Sequence, residues 1–300
     1  MLKCITCYFN INNSVKVKEN YIKFRQNFNA PLITVELAFD NQEFFIEDSI
    51  KIRGNSSHLM WQKERLLNIA IESLPDKVDK IAWVDADIIF DDPKWFKKTE
   101  EKLESFKAVQ LFQEVYELNS YNDPVNNGYG YVYNKRLNPE QSLDKLDTKI
   151  TDNFGKVGLG WAMQRSSIPF GINDYSINGT SDLYQILSWE GAWDNYYYQL
   201  LPPKYRLEML TRGFQDFVNI RKNISYIDVK IQHLEHGTRS NRNYFQHQKA
   251  LYDNDFNIAE DLEIDPINKL WKWKRDNHKL HQDIANIFYT RYEDGATVYN

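Results

Sequence analysis

Short apolar runs with almost no interruption constrain the fold of this chain more than any other feature. LKCITCYF (residues 2–9), LITVELAF (32–39) and KIAWVDADIIF (80–90) carry apolar residues at odd and even positions alike. A strand with one face in water alternates apolar and polar residues, whereas a strand covered on both faces is apolar throughout. These runs therefore predict the buried strands of a mostly parallel sheet.

Segments with helical spacing separate the apolar runs. Residues 14–28 and 58–74 carry apolar side chains three and four positions apart, and Pro93 stands where proline favours the first turn of a helix. This alternation predicts an α/β fold with a central, mostly parallel sheet flanked by helices. Further elements are expected as follows: strands at 44–52, 109–112 and 225–233, and helices at 93–106, 181–189 and 281–292.

The charge and hydropathy of the chain argue against two classes of partner. The formal charge is −5 and the pI is about 5.8, so a basic nucleic-acid-binding surface is not expected. No apolar run approaches the ~20 residues that span a bilayer. The N-terminal MLKCITCYFN also lacks the long apolar segment of a secretory signal. A cytoplasmic protein without a transmembrane segment is therefore expected.

Both cysteines lie in the first predicted strand, as Cys4 and Cys7. A C-x-x-C pair can be a redox motif, but that motif usually follows a strand and opens a helix. An odd spacing within a strand directs the two side chains to opposite faces of the sheet. The pair is therefore interpreted as two reduced, packed thiols.

Two carboxylates interrupt the third apolar run, Asp85 and Asp87. Ligands of open parallel sheets bind beyond the carboxyl ends of the strands, and residues two apart on a strand point the same way. Two like charges aimed together repel unless a cation joins them, and carboxylate oxygens suit Mg²⁺ or Mn²⁺. The alternative is an acidic turn at a strand end, since a bare D-x-D is common.

The sequence around these carboxylates resembles that of GT-A-fold glycosyltransferases. AWVDADIIF (82–90) has their pattern of apolar residues on both sides of D-x-D, and WQKERLLNIA (61–70) is similar to the basic-then-Asn helix before it. The resemblance covers most of the chain and residues 1–115 best. It implies a GT-A-like, Rossmann-type domain over 1–247, with residues 116–247 as its acceptor half and 248–300 as a C-terminal extension packed on it.

The resemblance implies an enzyme that moves a sugar from a nucleotide-diphosphate donor, most often UDP-linked, to an acceptor hydroxyl on a glycan, protein or small molecule. It implies Mn²⁺ or Mg²⁺ bound by Asp87, with Asp85 on the metal or the ribose. A histidine ligand is expected from His233 or His236. His236 is favoured because a glycine and a basic residue follow it. A structural histidine on a strand remains the alternative for one of the two.

The same resemblance supplies the expected donor contacts. Arg239 and Arg242 would reach the diphosphate, although a solvated turn is an equally good interpretation. Asp182 would be the general base of an inverting reaction, or alternatively a helix cap. The other donor-binding residues expected are these: Thr6, Tyr8, Glu36, Lys63, Asn68, Trp83, Ala86, Gly160 and Trp161.

Two other functional classes remain open from the sequence. Nucleotidyltransferases that make sugar nucleotides share a similar sheet and metal, but usually carry a glycine-rich loop after the first strand. NINNSVKVK (10–18) has no glycine there. A non-catalytic sugar-binding protein of the same fold is the third possibility, and the intact D-x-D with two histidines argues against it.

Overall fold

A computed structural model of the chain describes residues 1–140, Leu143, 154–237 and 239–295. Within these residues the strands are β1 Leu2–Phe9, β2 Leu32–Phe39, β3 Ser49–Gly54, β4 Lys80–Val84, β5 Ile88–Phe90, β6 Ala108–Gln110, β7 Glu114–Leu118, β8 Pro124–Tyr129, β9 Gly160–Gln164, β10 Ile224–Tyr226, β11 Lys230–His233, β12 Leu262–Ile264 and β13 Trp271–Trp273.

The helices of the same described residues alternate with the strands in the first third of the chain and cluster in the last third. They are α1 Val15–Asn27, α2 Lys63–Glu72, α3 Trp95–Lys102, α4 Tyr131–Leu137, α5 Ser181–Glu190, α6 Tyr196–Gln199, α7 Pro203–Ile220, α8 Tyr244–Asp253, α9 Ile258–Asp261 and α10 His278–Tyr289. The expected division at residues 247 and 248 falls inside α8, and the division into halves stays a prediction.

The main sheet is mixed and mostly parallel. Its strand order in the described chain is β10-β6-β9-β4-β1-β2-β3. Only β9 runs against its neighbours, pairing antiparallel with both β4 and β6. The expected α/β fold with a mostly parallel sheet between helices is therefore confirmed.

A smaller sheet of the described chain, in the order β5-β11-β7-β8, adjoins the main one. The chain leaves the main sheet at the end of β4 and enters the smaller sheet at β5. It makes the same passage again from β10 to β11. The first link holds Asp85 and Asp87, whereas His233 is the last residue of β11 and His236 follows it.

Two apolar clusters cover the two faces of the main sheet. Ile5 and Trp83 belong to a cluster that also contains apolar residues of α2, α5 and α7. Cys4 and Val84 belong to a second cluster, which also contains apolar residues of α1 and α3. Neighbouring residues of one strand thus enter opposite clusters, which explains the continuous apolar runs. Cys4 and Cys7 pack on opposite faces and form no disulfide, as the sequence predicted.

The expected helix over 58–74 is wrong in its first part. A 3-10 turn occupies Ser56–His58, and α2 begins only at Lys63. The side-chain amide of Gln62 donates to Trp271 O at 2.7 Å and its oxygen accepts from Trp271 N at 3.2 Å. These side-chain bonds hold Gln62 against β13, a strand far along the chain, at a position where the local pattern predicts a helical turn.

Other boundaries differ because strands change sheets. The strands expected at 80–90 and 225–233 are each two strands, one in either sheet. The third strand starts at Ser49 and not at 44, the helix after Pro93 is shorter, and α10 begins at His278 and not at 281. Local apolar patterns do not record which sheet a strand joins, so these breaks are invisible in the sequence.

Leu66 tests the role of α2 packing. Its side chain is fully buried, so Leu66→Ala is expected to lower the free energy of unfolding by about 2–5 kcal/mol, measured by chemical denaturation. Leu207→Ala is the matched control, because that side chain on α7 is exposed, and its effect is expected to stay within about 0.5 kcal/mol. Equal effects of the two changes would contradict this account of the core.

Candidate functional site

The link between β4 and β5 holds Asp85 and Asp87 at the junction of the two sheets. The Asp85 amide donates to Leu159 O at 2.9 Å, and the Leu234 amide donates to Asp87 O at 2.8 Å. The backbone of Asp85 is therefore fixed by the residue before β9, and that of Asp87 by the residue after β11. The prediction that they share one strand and point the same way is wrong, and each carboxylate has its own set of partners.

Asp87 lies against the two histidines at the end of β11. Its Oδ2 atom is 3.2 Å from His236 Nε2 and 3.7 Å from His233 Nε2, and the two Nε2 atoms are 3.3 Å apart. The antiparallel pairing of Ile88 with His233 brings the three together. We call these three residues the Asp87 cluster. Their ligand atoms lie within 4.8 Å of one another, close enough for one metal ion.

Glu117 on β7 orients His233 from behind. His233 Nδ1 lies 2.6 Å from Glu117 Oε2, and Glu117 Oε1 lies 2.7 Å from Lys156 Nζ. When the imidazole donates through Nδ1, its Nε2 atom faces Asp87. A hydrogen bond from the second ring nitrogen is the usual support for a metal-binding histidine. Sequence reasoning missed Glu117 and Lys156, because both lie in a stretch that shows no motif.

Burial and charge act against each other in the Asp87 cluster. Burial would lower the pKa of His233, but Asp87 and Glu117 outweigh it and raise that pKa to about 10. Burial lowers the pKa of His236 to about 3, although Asp87 opposes the change. Burial also disfavours the Asp87 carboxylate, yet the histidines and Arg242 hold its pKa well below the usual range.

The hydrogen bonds of the Asp87 cluster are incomplete. Arg242 Nη2 lies 3.0 Å from His236 Nε2, and because arginine only donates, that nitrogen must accept. The same nitrogen cannot also donate to Asp87 at 3.2 Å. Asp87 Oδ1 and Arg242 Nε are buried without a hydrogen-bond partner. Buried polar atoms of this kind are rare and call for a missing ligand or water.

Lys63, at the start of α2, joins Asp85 to Asp182 of α5. Its Nζ atom is 2.6 Å from Asp85 Oδ1 and 3.3 Å from Asp182 Oδ2. Burial alone would lower the pKa of Lys63, but the two aspartates outweigh it and hold the pKa well above the ordinary value. We call these three residues the Lys63 cluster. Glu64 lies behind them, and burial raises its pKa to about 8.

Gly158 makes room for the Asp182 carboxylate. A Cβ atom added at Gly158 would lie 2.6 Å from Asp182 Oδ2, so any side chain there would displace the Asp182 carboxylate. The family resemblance names Gly160, two residues further along, as a donor contact. Gly160 instead pairs with Val84 inside the sheet and is buried. The segment before β9 therefore meets the site through Gly158.

Several expected donor-binding residues are engaged elsewhere in the protein. Glu36 is buried and accepts from the amides of Phe45 and Ile46, at 2.5 and 3.0 Å, and from Ser49 Oγ at 3.0 Å. Asn68 is also buried, and it accepts from Ile172 N at 2.7 Å. Both side chains fasten loops, and their polar atoms have partners in the chain itself.

The remaining expected residues mostly lie in the sheet and its packing. Thr6 is buried and donates to Val84 O at 2.7 Å. Trp161 is fully buried, donates to Val157 O, and meets Trp189 edge to face. Trp83 and Tyr8 are buried in the core and Ala86 packs against it. The Arg239 side chain lies outside the described residues.

An open groove of about 400 Å³ lies away from these clusters, between the residues before β6 and the end of α7. Its lining includes Phe106, Gln164, Ile220 and Asn223, and no member of either cluster. The groove holds no constellation of catalytic side chains. We therefore place the candidate site at the two clusters and not at the groove.

No protein-family model and no curated protein matches this sequence. Solved structures with some similarity include glucosyl-3-phosphoglycerate synthase from Mycobacterium tuberculosis in complex with Mn²⁺, UDP and phosphoglyceric acid. It is 10% identical, with 91% of this chain and 86% of that chain covered and a TM-score of 0.38. TarS residues 1–349 of S. aureus are 9% identical, with 97% and 71% covered and a TM-score of 0.37.

A nucleotidyltransferase is similar to the same degree. The 4-diphosphocytidyl-2C-methyl-D-erythritol synthase of Anaerococcus prevotii is 11% identical, with 76% of this chain and 86% of that chain covered and a TM-score of 0.32. The similarities thus include glycosyltransferases and nucleotidyltransferases. Because these TM-scores are low, the similar structures do not identify a function for this chain. The evidence for function comes from the side chains of the site. No described helix is long and apolar enough to cross a membrane.

Glu36 provides a direct test of structural against donor-binding roles. Glu36→Ala leaves the buried amide of Ile46 and the partly buried amide of Phe45 without acceptors, so the free energy of unfolding is expected to fall by about 2 kcal/mol or more in chemical denaturation. Glu47→Ala, an exposed change in the same loop, is the control. Unchanged stability together with weakened UDP binding would restore the donor-binding role predicted from the sequence.

Proposed function

We propose that the chain is a divalent-metal-dependent glycosyltransferase that moves a sugar from a nucleotide-diphosphate donor, with UDP favoured, to an acceptor hydroxyl. The observation that carries the proposal is the Asp87 cluster, in which a buried carboxylate oxygen has no partner and one imidazole nitrogen faces several groups it cannot satisfy. A cation among the three side chains would resolve both conflicts.

The donor set favours one of the two expected ions. Magnesium binds oxygen ligands almost exclusively, whereas two imidazoles and one carboxylate suit a softer ion. Mn²⁺ is therefore favoured over Mg²⁺, with His233, His236 and Asp87 as its protein ligands. When bound, the ion would neutralise the negative charge that grows on the departing nucleoside diphosphate.

Arg242 adds a positive charge beside the Asp87 cluster. Arg242 reaches His236 at 3.0 Å, and its buried guanidinium Nε has no partner. A planar guanidinium matches phosphate oxygens in a two-pronged arrangement. Arg242 would therefore hold the diphosphate next to the ion, and the same role remains proposed for Arg239.

The Lys63 cluster would receive the sugar. Lys63 is fixed between Asp85 and Asp182, so its ammonium neutralises two carboxylates at the end of β4. Asp182 keeps about three tenths of its side chain exposed, which leaves it open to an incoming hydroxyl. If the reaction inverts the anomeric carbon, Asp182 would take the proton of the acceptor hydroxyl as that oxygen attacks.

The nucleotidyltransferase alternative lacks support at the loop after β1. A triphosphate loop needs free backbone amides. Here the Ser14 amide donates to Asn10 Oδ1 and the Lys16 amide to Asp294 Oδ1, both at 2.8 Å, and the Val17 amide donates to Ser14 Oγ. The amides at the start of α1 are thus taken by side chains. Only an activity assay separates the transferase from a non-catalytic sugar-binding protein of the same fold.

Two imidazoles and a carboxylate are also the ligand set of non-haem Fe²⁺ oxygenases. The Lys63 cluster distinguishes the proposals, because an oxygenase has no need of a lysine clamped between two carboxylates beside its metal. Calorimetric titration with UDP separates the two candidates, because only the transferase is expected to bind a nucleotide through the ion.

The first expected outcome concerns UDP binding. The affinity for UDP is measured by calorimetric titration of the wild type with Mn²⁺. It is expected to be at least tenfold weaker when EDTA replaces Mn²⁺, and also in the Asp87→Asn variant with Mn²⁺. Asp228→Asn is the matched control, because that aspartate is exposed on the neighbouring β10–β11 link. UDP binding that ignores both Mn²⁺ and Asp87 would contradict the metal-bridged donor site.

The second expected outcome concerns Asp182. Asp182→Asn keeps the volume of the side chain and removes its charge, so UDP release from a panel of UDP-sugars is expected to fall at least 100-fold. The Mn²⁺-dependent affinity for UDP itself is expected to change by less than twofold. Unchanged turnover, or loss of UDP binding along with turnover, would exclude the role proposed for Asp182.

A further inference from the structure

A second group of metal-ligating side chains lies on different elements from the Asp87 cluster. Asp276 stands in the link between β13 and α10, and His278 and His281 follow in the first turns of α10. One ligand atom from each lies within 4.8 Å of the other two. We call these three residues the His278 cluster. No part of the proposed transfer reaction uses them.

The spacing within the His278 cluster is close to that of a filled metal site. With metal–ligand bonds of about 2.0–2.1 Å in a tetrahedron, two ligand atoms lie about 3.3–3.4 Å apart. His278 Nε2 and Asp276 Oδ1 are 3.4 Å apart already. Histidines three apart on a helix face the same side, and a ligand atom of His281 lies within 4.8 Å of the other two.

His281 is oriented by contacts outside the cluster. Its Nε2 lies 3.1 Å from Arg275 O, and because a carbonyl only accepts, Nε2 carries the hydrogen. Nδ1 then keeps the lone pair that a metal requires. The ring also stacks on Trp273, with centroids 4.3 Å apart and an interplanar angle of 20°. A fixed tautomer and ring orientation are the usual support of a metal-binding histidine.

Two positive side chains near the His278 cluster, those of Arg275 and Lys279, are paired with carboxylates, and Lys274 donates to a backbone carbonyl. Arg275 Nε lies 2.6 Å from Asp261, Lys279 Nζ lies 2.8 Å from Asp283, and Lys274 Nζ donates to Ala259 O at 3.0 Å. These partners reduce the repulsion that an incoming cation would meet. The Asp276 carboxylate offsets the positive end of the α10 dipole.

We propose that Asp276, His278 and His281 form a second metal site, which takes a transition-metal ion that prefers imidazole, in the first instance Zn²⁺. Two imidazoles and one carboxylate with an open fourth position are a common zinc ligand set. The bound ion fastens the β13–α10 link to the first turns of α10, which packs against α8. The site is independent of the proposed transferase site.

Calorimetric titration of the tag-free protein with Zn²⁺ alone tests the proposal. The wild type is expected to show a Zn²⁺-binding event that Asp87→Asn retains and His278→Gln weakens at least tenfold. His278 is more than nine tenths exposed, so His278→Gln is expected to fold normally, as circular dichroism checks. Gln282→Ala, an exposed change one turn along the same helix, is the control and is expected to bind as the wild type does.

Fluorescence provides an independent readout. Cu²⁺ held by His281 lies beside the stacked Trp273 and is expected to quench part of the tryptophan emission, and both His281→Gln and Trp273→Phe are expected to remove that part. Zn²⁺ binding that is equal in the wild type and His278→Gln would overturn the proposal. Cu²⁺ quenching that is as large in His281→Gln as in the wild type would also overturn it.

Discussion

The balance of buried charge at the carboxyl end of β4 is the constraint on which the rest of the site depends. Two aspartates leave the main sheet within three residues, and neither can face the other without repulsion. The backbone separates them, since Asp85 is held by the segment before β9 and Asp87 by the residue after β11. Each carboxylate then needs positive or proton-donating partners of its own.

Those partners come from distant parts of the chain. Lys63 balances Asp85 because α2 starts at that residue and packs against β1 and β2. The histidines balance Asp87 because β11 pairs with β5, and Glu117 orients one of them because β7 pairs with β11. The smaller sheet is thus the element that assembles the Asp87 cluster, and the main sheet is the element that presents the Lys63 cluster.

The carboxylates could be predicted from sequence because their chemistry is unusual for their surroundings, whereas the histidines were expected only from the family resemblance. Charged groups beside an apolar strand cost free energy unless something compensates them, so Asp85 and Asp87 stand out. Glu36 on β2 stands out for the same reason, but its compensation is a loop of the same chain, and Asn68, expected from the family resemblance, is likewise bound to a loop. A sequence shows that a buried polar group needs a partner without showing whether that partner is a ligand or a backbone amide.

Glu117 is a site residue that no feature of the sequence singles out. It lies in a polar stretch without periodicity, and only the pairing of β7 with β11 places it 2.6 Å from His233. By itself the sequence determined the α/β class, the double-faced burial of the first strands and the presence of uncompensated carboxylates, because these follow from local patterns of polarity. Only the tertiary structure decided that the aspartates part, that Lys63 joins one of them to Asp182, and that two histidines meet the other. Those contacts depend on strand pairings between residues far apart in the chain, and local patterns do not encode such pairings.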